Sequence, residues 1–249
     1  MLNWIDNIKN NQNQLILIAK RRSDYNPEEI NVYSIEDYSE DYSKINLRKI
    51  ISSEIRGLKI SGPRGLVILS LKNKFQSCSI NFSNEANDCV AIILPSKFNQ
   101  KFLIELNKEN STVFISEDFS SNGVRITSYE GKGIYIGRDN MWAAQIVCMN
   151  SDAHAIIDVF GNVINKSQDI FIGEHVWIAF RAQILKGVTI GPNSVVGAGA
   201  FITKSFEEGN QILAGLPAKV VKSNINWDRR SVSLYEKMRN NNIIREKND

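Results

Sequence analysis

Only two histidines, His154 and His175, occur in the 249 residues. A catalytic zinc site of the three-histidine kind cannot be assembled from one such chain, so no metal is expected. His154 stands in Ser151-Asp152-Ala153-His154, at the start of a stretch, 151–169, that breaks a regular repeat. An excursion from a regular scaffold is where function concentrates. With an ordinary pKa of about 6.5, a neutral imidazole accepts a proton at working pH, and a positioned general base is worth about 10² to 10⁴ in rate. Asp152, Asp158 and Glu174 are carboxylates able to orient the ring, as is a backbone carbonyl, and spacing does not rank them. Trp177 follows 23 residues after His154, in Glu174-His175-Val176-Trp177-Ile178. Its indole N–H donates without accepting, which suits developing negative charge, although a tryptophan packed at a corner is the structural alternative. His175 reads as structural, because its neighbours alternate into a coil.

The scaffold around these residues repeats with a period of six from 172 to 207: IGEHVW, IAFRAQ, ILKGVT, IGPNSV, VGAGAF, ITKSFE. Position one is Ile172, Ile178, Ile184, Ile190, Val196 and Ile202. If about one residue in four is aliphatic, six in a row arise by chance on the order of 1 in 4000, which excludes coincidence and helical spacing alike. Side chains alternate along a strand, so an even unit returns the aliphatic residue to one side each time. Position five, two residues earlier on that side, is Val176, Ala182, Val188, Ser194 and Ala200, so the interior must be narrow. Position two carries Gly173, Gly191 and Gly197, which predicts recurrent corners with positive φ. Short strands, tight corners and one aliphatic per side pointing to a common axis describe a parallel β-helix.

β-rich runs at 67–71, 92–94, 113–115, 124–126 and 134–136 extend the β-helix back to roughly residue 56. Residues 1–55 read as a small N-terminal α/β subdomain with a helix-like start. Its Tyr33, Tyr38 and Tyr42 either stack on sugar rings or pack the segment against its neighbour. Residues 56–222 form the coil, and 223–249 a helical tail with apolar spacing at Leu234, Met238 and Ile243, expected to cap the open end.

The stretch IGRDNMWAAQIVCMNSDAHAIIDVFGNVINKSQDIFIGEHVWIAFRAQILKG resembles the polysaccharide O-acetyltransferases of the hexapeptide-repeat acyltransferase superfamily, over about residues 134–222. The resemblance implies a left-handed, triangular coil and a trimer. It implies transfer of acetyl from acetyl-CoA to a sugar hydroxyl of a bacterial surface polysaccharide, capsular or lipopolysaccharide-type, or of its precursor. His154 would be the base in direct transfer, and Trp177 would assist at the thioester or thiolate. The coenzyme A arm would lie along the last coils between two subunits, lined by Ala179, Phe180, Gly197 and Ala198. Thr203 and Lys204 would approach the cofactor, and Lys219 or Lys222 in GLPAKVVK would meet phosphate as point charges. Phe180 is bulkier than the family's usual residue and Ala179 replaces a usual glycine, so the groove has its own shape. N-acetylation of a nucleotide-linked amino sugar is the alternative within enzymes. A non-catalytic β-helix scaffold is the alternative outside them, and the presence of both His154 and Trp177 speaks against it.

Composition is consistent with a packed globular chain, at 43% hydrophobic and 23% charged residues, which excludes wholesale disorder. The apolar runs 15–19 and 90–94 fall far short of the ~20 residues that cross a bilayer. No basic stripe interleaved with aromatics and no reader motif points to nucleic acid. Residues 219–249 carry eight Lys or Arg against four acids, a local basicity that suits a phosphorylated cofactor or a solvated terminal helix. Cys78, Cys89 and Cys148 form no C-x-x-C pair, and the N-terminus lacks a leader-like apolar stretch, so free thiols in the cytoplasm are expected.

Overall fold

The computed structural model describes residues 3–241. From residue 58 the chain winds as a parallel β-helix with three flat faces, visited in the same order in every coil. One coil shows the order. Gly133–Ile136 lies on the first face, Met141–Trp142 on the second and Ile146–Met149 on the third, and each pairs in parallel with the equivalent strand of the next coil.

The six-residue pattern explains this winding. Ile172, Ile178, Ile184, Ile190, Val196 and Ile202 are all fully buried, one per face in turn. Val176, Ala182, Val188, Ser194 and Ala200 lie beside them at 1% exposure or less, so small residues set the width of the prism. The interior is apolar and continuous from Val32 to Ala218.

The corners correct one expectation. Left-handed backbone falls at position four of the unit, at His175, Arg181, Gly187, Asn193 and Gly199, with φ from 53° to 74°. The glycines at position two answer a different need. A Cβ on Gly191 would stand 2.4 Å from the Glu208 carbonyl oxygen, and one on Gly173 would stand 2.7 Å from the Pro192 nitrogen. Coils at that corner approach backbone to backbone, and only glycine admits the approach.

The N-terminal segment is built onto the first face. Helix α1 (Asn3–Lys20) turns Gln12, Leu15 and Ala19 inward, with Ile8 half-buried, which is the spacing of one helical stripe. It packs on outward-facing Leu66, Ile68, Val90, Ile92, Leu94 and Phe114, which is why the first-face strands are buried on both sides. Strand Ile30–Asp37 joins the same sheet in parallel with Gly65–Leu69, and Asn46–Lys49 closes its edge antiparallel. Tyr33 and Tyr42 are buried, and Tyr38 meets Tyr42 edge-on at 6.4 Å, so these rings pack the segment.

At the other end the second face closes with an antiparallel strand, Ala218–Ser223 against Gln211–Gly215. Helix α2 (Val232–Asn240), N-capped by Ser231, buries no side chain. Among the described residues the hairpin, and not a helix, therefore covers the last strand of that face. Ile243 and the rest of the expected tail lie outside the described residues. No helix among those residues is long and apolar enough to cross a membrane.

Candidate active site

Segment 151–169 leaves the coil at the corner between the third and first faces. Its own bonds hold it. Ile157 and Val163 bridge antiparallel, and the Asp158 carboxylate accepts from the Phe160 and Asn162 amides, each at 2.9 Å. Asn165 Nδ2 donates to Asp152 Oδ2 and to the His154 carbonyl, both at 2.8 Å. Lys186 Nζ, from the coil below, donates to the same Asp152 carboxylate and to the Asn165 carbonyl. The Lys186 ammonium, with Asn165, holds the Asp152 carboxyl below its usual range.

The His154 side chain is exposed over a hollow of about 460 Å³ shared with Glu130, Lys132, Ser151, Asn165 and Lys166. None of the three candidate carboxylates orients its ring within this protomer. Asp152 is held by Lys186, Asp158 caps the loop turn, and Glu174 accepts from Arg138 at 2.7 Å. Lys132 and Lys166 have no ionic partner among the described residues. Glu130 accepts from Ser167 Oγ at 2.5 Å.

Trp177 stands on the second face, 37% exposed, beside a separate hollow of about 330 Å³ lined by Phe98, Asn99, Asn122, Met141 and Arg229. The pairing register places Trp177, Val195, Ile212 and Lys222 on one outward stripe. At about 4.8 Å per strand, the Trp177 and Lys222 backbones stand roughly 14 Å apart across the sheet, comparable with an extended pantetheine arm. A second column runs alongside. Ala179 donates its N–H to the Val196 carbonyl, Gly197 packs against Ala214, and Ala214 pairs with Lys219. Phe180 is 41% exposed at the same corner, and its carbonyl accepts from Gly199 beside exposed Ala198.

Thr203 and Lys204 lie elsewhere. They follow the last third-face strand, at the corner that also carries the His154 excursion, with the Lys204 ammonium 5.5 Å from the Phe206 ring. The sequence-read residues thus fall into two groups, separated by the third face. His154, Thr203 and Lys204 form one, and Trp177, Ala179, Phe180, Gly197, Ala198, Lys219 and Lys222 the other. Among the described residues no group of three or more His, Cys, Asp or Glu side chains converges as a metal site would require.

His175 is locked into the coil. Its Nδ1 meets Asp139 Oδ2 at 2.7 Å and its Nε2 meets the Trp227 carbonyl at 3.0 Å. The Asp139 carboxylate raises its pKa against the opposing effect of burial. Trp227 and Arg229, which crowd the Trp177 side, escaped sequence reading because their contacts reach across 52 and 90 residues. The only local signal was an aromatic set in a basic tail.

Residues 169–204 match the family model for the bacterial transferase hexapeptide (six repeats). The chain is 33% identical to the polysialic acid O-acetyltransferase of Neisseria meningitidis, over 64% of this chain and 74% of that one. It is 34% identical to the galactoside O-acetyltransferase of Escherichia coli K12, over 45% of this chain and 54% of that one. The crystal structure of a polysialic acid O-acetyltransferase superposes with a TM-score of 0.66 at 30% identity, covering 76% of this chain and 93% of the other. A coil with this repeat, this excursion and these relatives is an acyl-transferring enzyme. The chain belongs to the hexapeptide-repeat O-acetyltransferases.

Proposed function

We propose that the enzyme moves an acetyl group from acetyl-CoA to a hydroxyl of an acidic bacterial surface polysaccharide or its precursor, as a homotrimer in the cytoplasm, where this donor is made. The coil, residues 56–222, carries the reacting groups. One observation supports this reading most. The Trp177–Lys222 stripe has the length and charge for a thioester donor, and it lies across the third face from His154, so two neighbouring protomers would bring the halves together. The exposed loop tip, with Val159 and Phe160 at 93% and 86% exposure, is apolar surface suited to that contact.

In the completed site the donor thioester lies beside Trp177, with its arm along Ala179 and Gly197. Lys219 and Lys222 meet its phosphates, and Thr203 and Lys204 approach from the neighbour. His154 takes the proton from the acceptor hydroxyl as that oxygen bonds to the thioester carbonyl carbon. The Trp177 N–H and backbone amides stabilise the tetrahedral oxyanion. The C–S bond then breaks, and the proton on His154 passes to the departing thiolate. Lys132 and Lys166 beside His154 favour a carboxylated acceptor such as the polysialic acid of the relatives' names.

The test incubates the enzyme with acetyl-CoA and, separately, polysialic acid, a neutral polysaccharide and a nucleotide-linked amino sugar. Free thiol and product mass are read. The expected result is thiol release with polysialic acid and a gain of one acetyl that alkali removes, with His154→Ala slower by about 10² to 10⁴. Alkali-stable acetylation of the amino sugar alone, or an unslowed His154→Ala, would overturn the reading.

A further inference from the structure

Residues 224–230 run as a strap over the corner between the first and second faces. Successive coils present left-handed residues there in a column, Asp118, Asp139, His175, Asn193 and Asn210, with φ between 53° and 59°. At one end Asn210 Nδ2 donates to the Ile225 carbonyl at 2.8 Å, and the Ile225 amide donates to the Asn210 carbonyl at 3.0 Å. Trp227 then lies flat on His175, with ring centroids 4.2 Å apart and planes within 9°. Its Nε1–H donates to the His175 carbonyl at 2.7 Å.

Arg229 fastens the far end. It donates to Asp139 Oδ1 at 2.8 Å, to Ser120 Oγ at 2.7 Å and to the Asp118 and Asn140 carbonyls, with its Cζ 4.0 Å from the Phe98 centroid. Its donors are committed to the coil, so it walls the hollow beside Trp177 without a free charge to offer.

The ring so fastened is the one that meets the indole. The Trp227 centroid stands 6.2 Å from that of Trp177 at a 47° tilt, within the range of favourable aromatic pairs. Trp177 needs such a wall, because its strand is two residues long and its register neighbours are Met141 and Val195. A donor that acts on a transient oxyanion is effective only while its N–H points at that atom.

We infer that Trp227 is a positioning residue for Trp177: the strap, latched at His175 and Arg229, sets the direction of the indole N–H. This rests on the role given to Trp177 above, and the experiment separates the two. Trp177→Phe, Trp227→Ala, Trp227→Phe and the double variant Trp177→Phe/Trp227→Ala are assayed for kcat and KM, with folding followed by far-ultraviolet circular dichroism. Trp227→Ala is expected to lower kcat about 10-fold with both KM values within about twofold, and Trp227→Phe, which keeps a ring, to recover most of it. In the Trp177→Phe background Trp227→Ala should cost less than about twofold, because the group it positions is gone. Parent kcat in Trp227→Ala, or a full additive loss in the double variant, would overturn the positioning role. Parent kcat in Trp177→Phe would instead remove the role of Trp177 itself. Should Trp227→Ala fail to fold, Arg229→Lys loosens the strap with both rings in place and is read in the same cycle.

Discussion

At the scale of single residues, the two histidines stand in opposite settings. His154 sits exposed on an excursion whose backbone is pinned by Asn165, so its ring is free to meet a substrate. His175 lies between two acceptors, the Asp139 carboxylate and the Trp227 carbonyl. It satisfies both only as imidazolium, and Asp139 raises its pKa, with Arg229 and Asp228 the other charges facing it. A raised folded-state pKa contributes stability that is complete below the unfolded value of about 6.5 and is lost as pH rises through the folded value. Thermal unfolding from pH 6 to pH 9 should therefore show a loss in the parent that His175→Gln, which does not titrate, largely lacks. Equal slopes in the two proteins would show that the imidazolium bridge contributes nothing. Burial raises the Asp139 carboxyl, but bonds from His175 and Arg229 outweigh it and leave its pKa lowered, so its contribution is lost only in acid.

At the scale of elements, the corner decides the coil. Gly191 and Gly197 occupy the same position of their units but face different neighbours. A methyl on Gly191 meets the Glu207 and Glu208 carbonyl oxygens at 2.5 and 2.4 Å, whereas one on Gly197 meets the Ala214 methyl at 3.2 Å. A carbonyl of the main chain cannot move aside as the end of a side chain can. Gly191→Ala should destabilise by about 3 kcal/mol and Gly197→Ala by well under 1 kcal/mol. For a chain of this length the difference is roughly 5 to 10 °C in Tm, readable by calorimetry. Equal Tm values would refute the distinction. Helix α1 is the other deciding element. By covering Leu66, Ile68, Val90 and Ile92 it turns the first face into a doubly buried sheet and leaves the other faces open for the site.

At the scale of the whole molecule, the proposed site, with His154 and Trp177 on either side of the third face, would be completed by a second copy. Mixed oligomers test this directly. Subunits carrying His154→Ala and subunits carrying Trp177→Phe, each slow alone, should regain activity when co-assembled, because some sites then pair an intact His154 with an intact Trp177. In a ring of equal mixture about a quarter of sites would be restored. No recovery, despite mixed assembly shown by mass, would place both groups in one protomer.

The hexapeptide register, the narrow core and the excursion at 151–169 were legible in the residues themselves, because strand alternation and corner spacing are local consequences of the chain. The same locality singled out the excursion that carries His154, whereas the roles expected of His154 and Trp177 came from the resemblance to the polysaccharide O-acetyltransferases. The strap was beyond its reach: Trp227 on His175 and Arg229 on Asp139 join positions 52 and 90 apart. So was the separation of the proposed site into two halves, since which corner a residue occupies depends on how many coils precede it. The tertiary structure also reassigned the glycines from left-handed turns to close backbone approach, a property of the neighbouring coil and not of the glycine's own segment. Periodicity fixes which way a side chain points; only packed coils fix what it meets there.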